Sequence, residues 1–226
     1  MKLIIFDLDQ TLVDFISVHD AVTRKLFQEF FNVEASLTEI DFPGKSLSQC
    51  FEELARLKNV PDDLFRDKSQ RLLQRYETLF IEAIPEDASK YVLSGAMELL
   101  EKLSKTEHII VLYTGEPPGI VGAVFRATGL GKYFKFCFYG TEVNSRADMV
   151  RMAIEKARQF TGKKFENKDT VIIGDSVRDV QCGKIFNALT IAVATGFHSK
   201  EELSSAHPDY LLNNLQDYAR VLSVIK

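Results

Sequence analysis

Short apolar runs bounded by polar turn residues recur along the chain: Leu3 to Phe6, Ile109 to Tyr113, Phe136 to Tyr139, Thr170 to Ile173 and Leu189 to Val193. Their β-branched and aromatic content and their brevity predict buried strands. Between the later runs the period changes. Met149, Met152, Ala153, Ile154, Ala157 and Phe160 share one stripe of a helix over about 147–160, and Ala96, Leu99, Leu100 and Leu103 share another. Strands alternating with helices predict a parallel sheet covered on both faces, a doubly wound, Rossmann-like α/β core.

One connection breaks that rhythm. About a hundred residues separate the first two strands, whereas a crossover needs only about a dozen. A structureless loop of that length does not suit a compact domain. The intervening chain instead has helical stripes: Val22, Leu26 and Phe30; Leu47, Phe51 and Leu54; then Phe65, Leu72, Tyr76, Leu79 and Ala83. Phe42-Pro43-Gly44 separates the first two, and Pro61-Asp62-Asp63 opens the third, with Asp as its expected cap. The expected division is a core of 1–15 and 90–226 with a helical cap of 16–89 at the sheet's carboxyl edge. The eight Phe between Phe15 and Phe80 are expected as cap core.

Composition narrows this little further. Among 226 residues, 46% are hydrophobic, which is ample for a core, and 28 basic against 32 acidic residues give a net charge of −4. That balance argues against a dedicated nucleic-acid binder. Cys50, Cys137 and Cys182 are odd in number and lack metal-ligand spacing, so free thiols in a reducing cytoplasm are expected. No apolar run approaches the ~18 residues of a membrane span, and Lys2 leads straight into Leu-Ile-Ile-Phe-Asp, unlike a signal peptide.

Candidate chemistry sits at three predicted strand ends, where open α/β sheets build their sites. Asp7-Leu8-Asp9-Gln10-Thr11 follows the first strand, with both carboxylates expected on one side. Such a pair suits Mg²⁺, and reads equally as two turn acids capping the next segment. Gly174-Asp175-Ser176-Val177-Arg178-Asp179 follows the fourth, where Asp175 or Ser176 can also cap a helix. Thr114-Gly115-Glu116-Pro117 follows the second, where Thr114 can hold a phosphate oxygen or simply cap.

In combination these motifs resemble the haloacid dehalogenase-like hydrolase superfamily, in its phosphoglycolate-phosphatase-like branch with a helical cap. Asp7-x-Asp9-x-Thr11-Leu12-Val13-Asp14, the insertion, Thr114-Gly115, Gly174-Asp175-Ser176-x-x-Asp179 and the stretch from Val180 to Gly196 carry the likeness. It implies a Mg²⁺-dependent phosphatase of a small phosphorylated metabolite, phosphoglycolate-like or a sugar phosphate. In it Asp7 attacks phosphorus and Asp9 acts as acid and base. Mg²⁺ would be held by Asp7, the Asp9 carbonyl and Asp175, with Asp179 ligating or orienting water. Thr11, Thr114 and Gly115 would meet the phosphoryl group. Arg146 stands where relatives have Lys, with Lys132 and Lys135 as fallbacks, and Lys45 in Gly44-Lys45-Ser46 would meet a further anion, unless it is an exposed Lys before a capped helix. Glu116 and Gln10 depart from the family pattern, Gln10 standing where most have Gly, and Glu116 adds a repulsive charge near the phosphate. His19, His108, His198 and His207 match no motif. The rival readings are a sugar phosphomutase and a non-catalytic binding or regulatory module. Neither a membrane nor a nucleic acid is expected as partner, and the oligomeric state is left open.

Overall fold

The computed structural model describes residues 1–141 and 145–225. Five of its strands are those the apolar runs predict: β1 (Leu3–Phe6), β2 (Ile109–Thr114), β3 (Phe136–Tyr139), β4 (Thr170–Gly174) and β5 (Leu189–Val193). A sixth, β6 (Tyr210–Leu212), was not read from the sequence. At three residues it is too short for a period to show, and Asp209 anchors it by accepting from the Thr190 backbone N–H (2.8 Å) and hydroxyl (2.9 Å). All pairings are parallel, in the order β3-β2-β1-β4-β5-β6.

Alternation along β1 sends Ile4 and Phe6 to one face of the sheet and Leu3 and Ile5 to the other. Helices cover both faces. Against the first pack α4 (Ala96–Leu103), α5 (Pro118–Thr128) and α9 (Tyr218–Val224), through Leu99, Leu100, Val121, Val124 and Val221. Against the second pack α6 (Arg146–Thr161) and α7 (Val177–Ile185), through Met149, Val150, Ala153 and Cys182. A short α8 (Lys200–Ser205) contributes Leu203 to a third cluster at the β5 edge. The core is therefore doubly wound.

The long insertion folds as α1 (Ile16–Phe31), α2 (Leu47–Leu57) and α3 (Asp62–Ala83). Helix α2 starts at a capping box in which Ser46 and Gln49 satisfy each other's backbone N–H groups. Helix α3 starts differently from expectation. Pro61 occupies the cap position and makes no side-chain bond, while Asp62 and Asp63 lie in the first turn, favourable for the helix dipole. Phe15, Phe27, Phe51 and Phe80 are fully buried, and Phe30, Phe31, Phe42 and Phe65 pack against the same cluster. A single hydrophobic cluster runs from these helices into the sheet face of Ile4 and Phe6.

The linker between α1 and α2 carries residues 41–45 onto the carboxyl edge of the sheet. Arg178 donates to Pro43 O (2.5 Å) and Asp41 (2.6 Å), Arg146 Nε donates to Gly44 O (3.0 Å), and Phe42 meets Phe197 edge-on. Gly115 makes this approach possible, since an added Cβ there would collide with the Lys45 carbonyl oxygen. No described helix is long and apolar enough to cross a membrane. All three cysteines are free, with Cys50 and Cys182 buried.

Candidate active site

Where the chain leaves β1, the Asp7 N–H still pairs with Ile173 O (2.9 Å), which holds the Asp7 carboxyl at the strand end. Three residues on, Gln10 takes φ +60°, left-handed backbone that favours glycine. This gives a physical reason for the glycine that the family resemblance leads one to expect at this position. Here the Gln10 side-chain amide donates to Asp14 (2.6 Å), and the Gln10 backbone carbonyl accepts from the Thr195 hydroxyl (2.5 Å). The turn leaves Leu8 in the core and both Asp7 and Asp9 on the wall of one cavity of ≈ 70 Å³. Thr114, Gly115, Glu116, Arg146, Asp175 and the Gly44-Lys45 turn share that wall.

Asp7, Asp175 and Asp179 bring one carboxylate oxygen each within 4.8 Å of one another. Burial pushes Asp7 up to about 7, with Asp179 and Asp9 adding to the rise and Arg146 opposing it. Burial also holds Asp175 well above the usual carboxylate range, together with Asp7 and Asp179. Crowded, desolvated carboxylates of this kind are relieved by a cation, and an all-oxygen donor set fits a hard divalent ion. The cluster can therefore hold a metal ion.

Its members are not equivalent. Asp179 accepts from Tyr113 Oη (2.5 Å) and Arg146 (2.6 Å) on one oxygen, and from the Ser176 N–H (2.9 Å) and Oγ (2.6 Å) on the other. It is thus the N3 residue of the α7 capping box as well as the anchor of Arg146. Ser176, rather than Asp175, is the cap. Thr11, expected at the phosphate, is fully buried and donates to Asp175 (3.2 Å), so its hydroxyl orients that carboxylate. The Thr114 hydroxyl accepts from the Glu116 N–H (3.2 Å), fixing the turn after β2.

Arg146 is the first residue of α6, after the Ser145 cap, yet its side chain is only 12% exposed. It donates to Asp7 (3.0 Å), Asp179 and Gly44 O, and its guanidinium lies 4.7 Å from the Tyr113 ring centroid. The fallbacks do not reach this place: Lys132 lies over Tyr133 and Lys135 over Phe160. Lys45 borders the cavity, but its ammonium pairs with Glu53.

Sequence reasoning missed His19 and Tyr76, which join Asp9 and Glu116 on the same wall. His19 Nε2 lies 3.4 Å from Asp9 Oδ1, and Nδ1 lies 2.5 Å from Tyr76 Oη. An acceptor at Asp9 puts a proton on Nε2. Burial disfavours the charged imidazole, but Glu116, Asp9 and Asp14 together raise His19 above its ordinary value. Burial raises Glu116 to about 7, helped by Asp9 and Glu77 and opposed by His19. One signal was legible: His19 lies on the buried stripe of Val22 and Leu26, an unusual place for an imidazole.

The family profile of haloacid dehalogenase-like hydrolases matches residues 4–193. The chain belongs to this family. Among curated relatives, a pyrophosphatase PpaX of Oceanobacillus iheyensis is 25% identical over 98% of this chain and 97% of its own. A phosphoglycolate phosphatase of Vibrio parahaemolyticus is 21% identical over 99% and 97%. Among solved structures, a β-phosphoglucomutase of Clostridium difficile superposes with a TM-score of 0.83 at 16% identity, covering 100% and 97%, a likeness of fold. This haloacid dehalogenase-like hydrolase is a phosphatase-type enzyme.

Proposed function

We propose that the protein is a Mg²⁺-dependent phosphatase of a small phosphomonoester that works through an aspartyl-phosphate on Asp7, beneath a helical cap of residues 16–89. The observation that carries this reading is that Asp7 and Asp9 line one cavity together with Thr114, Gly115, Arg146 and Asp175. An Asp7 oxygen attacks phosphorus and the bond to the leaving oxygen breaks, while the Asp9 carboxyl gives that oxygen its proton. In the second half Asp9 takes a proton from water, which attacks phosphorus, releases orthophosphate and regenerates Asp7. Thr114 Oγ and the Gly115 N–H hold the phosphoryl oxygens. Arg146, fixed on Asp179 and Tyr113, holds Asp7 in line and adds positive charge. Asp7, Asp175 and the Asp9 carbonyl would hold Mg²⁺, with Asp179 behind them, and the ion would offset the charge of the transferring group. The docked 41–45 loop excludes water, so substrate entry requires it to lift.

A phosphomutase must retain a second phosphate. Among the described residues the Lys and Arg side chains at this cavity are already paired, Lys45 with Glu53 and Arg146 with Asp7 and Asp179, which favours hydrolysis. The test is release of orthophosphate from a generic aryl phosphate with Mg²⁺, compared with Asp7→Asn. Equal rates in the two proteins contradict the mechanism. Accumulation of an isomerised sugar phosphate would establish the mutase instead.

A further inference from the structure

The cavity wall at Asp7 and Arg146 is rich in cation and carboxylate, and the end at the Glu116 side chain has a different character. There Glu116 Oε2 is shielded from solvent and has no hydrogen-bond partner. Its backbone is fixed by Thr114, and its carboxylate lies with those of Asp9 and the His19 ring nitrogen inside 4.8 Å. His19 does not neutralise it by direct contact, because its two ring nitrogens face Asp9 and Tyr76. Ile16, Leu37, Leu47 and Phe42 add apolar wall to the same cavity.

We propose that this end is a leaving-group subsite for a small alcohol that carries a hydrogen-bond donor, best an ammonium group, and that Glu116 is its specificity-determining residue. The inference deepens the phosphomonoester reading and rests on it. A buried acceptor without a partner is costly, so a ligand that brings a donor gains there, while one that brings a second anion meets repulsion. The span also limits length. With the leaving oxygen at Asp9 and the donor at Glu116, no more than 4.8 Å separates the two carboxylate atoms, which suits a spacer of about two carbons. Phosphoglycolate has that length and the wrong charge. The same three residues also have the spacing of a metal site, which would require the His19 Nε2 contact with Asp9 to open.

The test uses three esters of one length: 2-aminoethyl phosphate, 2-hydroxyethyl phosphate and 2-phosphoglycolate. With Mg²⁺, kcat/KM should fall in that order, by about tenfold or more from first to last. Glu116→Gln should lower the aminoethyl ester about tenfold and leave phosphoglycolate undiminished. Glu116→Asp, which keeps the charge but withdraws it, should show a smaller loss in the same direction. Phosphoglycolate as the best ester, or Glu116→Gln acting equally on all three, would overturn the proposal. So would a second divalent ion per chain whose binding Glu116→Gln abolishes. Calorimetric binding of the three esters to the Mg²⁺-loaded Asp7→Asn protein separates the two claims. The same order there, with no ester or aryl phosphate hydrolysed by the wild type, sustains the subsite and sinks the phosphatase reading. The reverse order, with aryl phosphate hydrolysed, sinks the subsite alone.

Discussion

Asp7 and Asp175, with Asp179 buried behind them, and Asp9 and Glu116 line one cavity, yet only the first group has a permanent cation built into it. Arg146 bonds to both Asp7 and Asp179, while Tyr113 and Ser176 donate to Asp179 and Thr11 to Asp175. The second group draws half its members from the inserted helices, His19 from α1 and Tyr76 from α3, and leaves one Glu116 oxygen unpartnered. The rigid sheet thus carries the groups whose positions the chemistry needs. The inserted helices complete the part that meets whatever differs between substrates.

The comparison is broken most easily at Asp7. Asp7→Asn should lower kcat by about 10⁴-fold or more in an orthophosphate-release assay, because no other group on the wall is placed to attack. Chelation of divalent ions should remove turnover to a similar degree. An effect of that size from Glu116→Gln on an aryl phosphate would erase the distinction between the two clusters.

Arg146 comes next. Arg146→Ala should cost about 10²- to 10³-fold in kcat/KM, and Arg146→Lys should restore part of it by keeping the charge without the three-way grip on Asp7, Asp179 and Gly44 O. A full rescue by Lys would mean that charge alone matters there.

Acidity separates the clusters through stability. Glu116 is raised from 4.5 to about 7 by burial. The neutral side chain therefore favours the fold fully below about pH 4.5, and this contribution is lost as pH rises through 7. Glu116→Gln has no such loss. In chelator, its unfolding free energy should exceed that of the wild type progressively from pH 5 to pH 8, by on the order of 3 kcal/mol at the upper end. A constant difference across that range would mean the carboxyl is not desolvated.

The smallest effect is expected at the seam. Gly115→Ala places a methyl against the Lys45 carbonyl and should push the 41–45 loop outward, lowering kcat/KM about tenfold with thermal stability little changed. Unchanged kinetics would mean the loop need not dock during turnover.

The first cluster was legible in the chain, and of the second only Asp9 and Glu116 were, for a physical reason. A buried parallel strand reads as an apolar run, so a polar residue ending it is conspicuous, and Asp7, Thr114 and Asp175 each follow such a run. Arg146 could be matched to its position, but its grip on Asp179 links residues 33 apart. His19 and Tyr76 are 57 apart on different helices, where one apolar stripe gives no sign of which residue on the next it will meet. Lys45 shows the limit from the other side. Its local motif was visible, while its pairing with Glu53, two turns along α2, was not. Strand β6 was lost because three residues cannot display a period.

The most direct measurement of the division of labour is to locate the transferred phosphoryl group. Wild-type protein mixed with Mg²⁺ and an aryl phosphate, quenched in acid within the turnover time and mapped by peptide mass, should carry one phosphoryl group on the peptide containing Asp7. Glu116→Gln should carry it on the same residue, and Asp7→Asn should carry none. A phosphoryl group on another residue, or active wild-type turnover with Asp7 unmodified at every quench time, would contradict the assignment of the chemistry to the sheet-edge cluster.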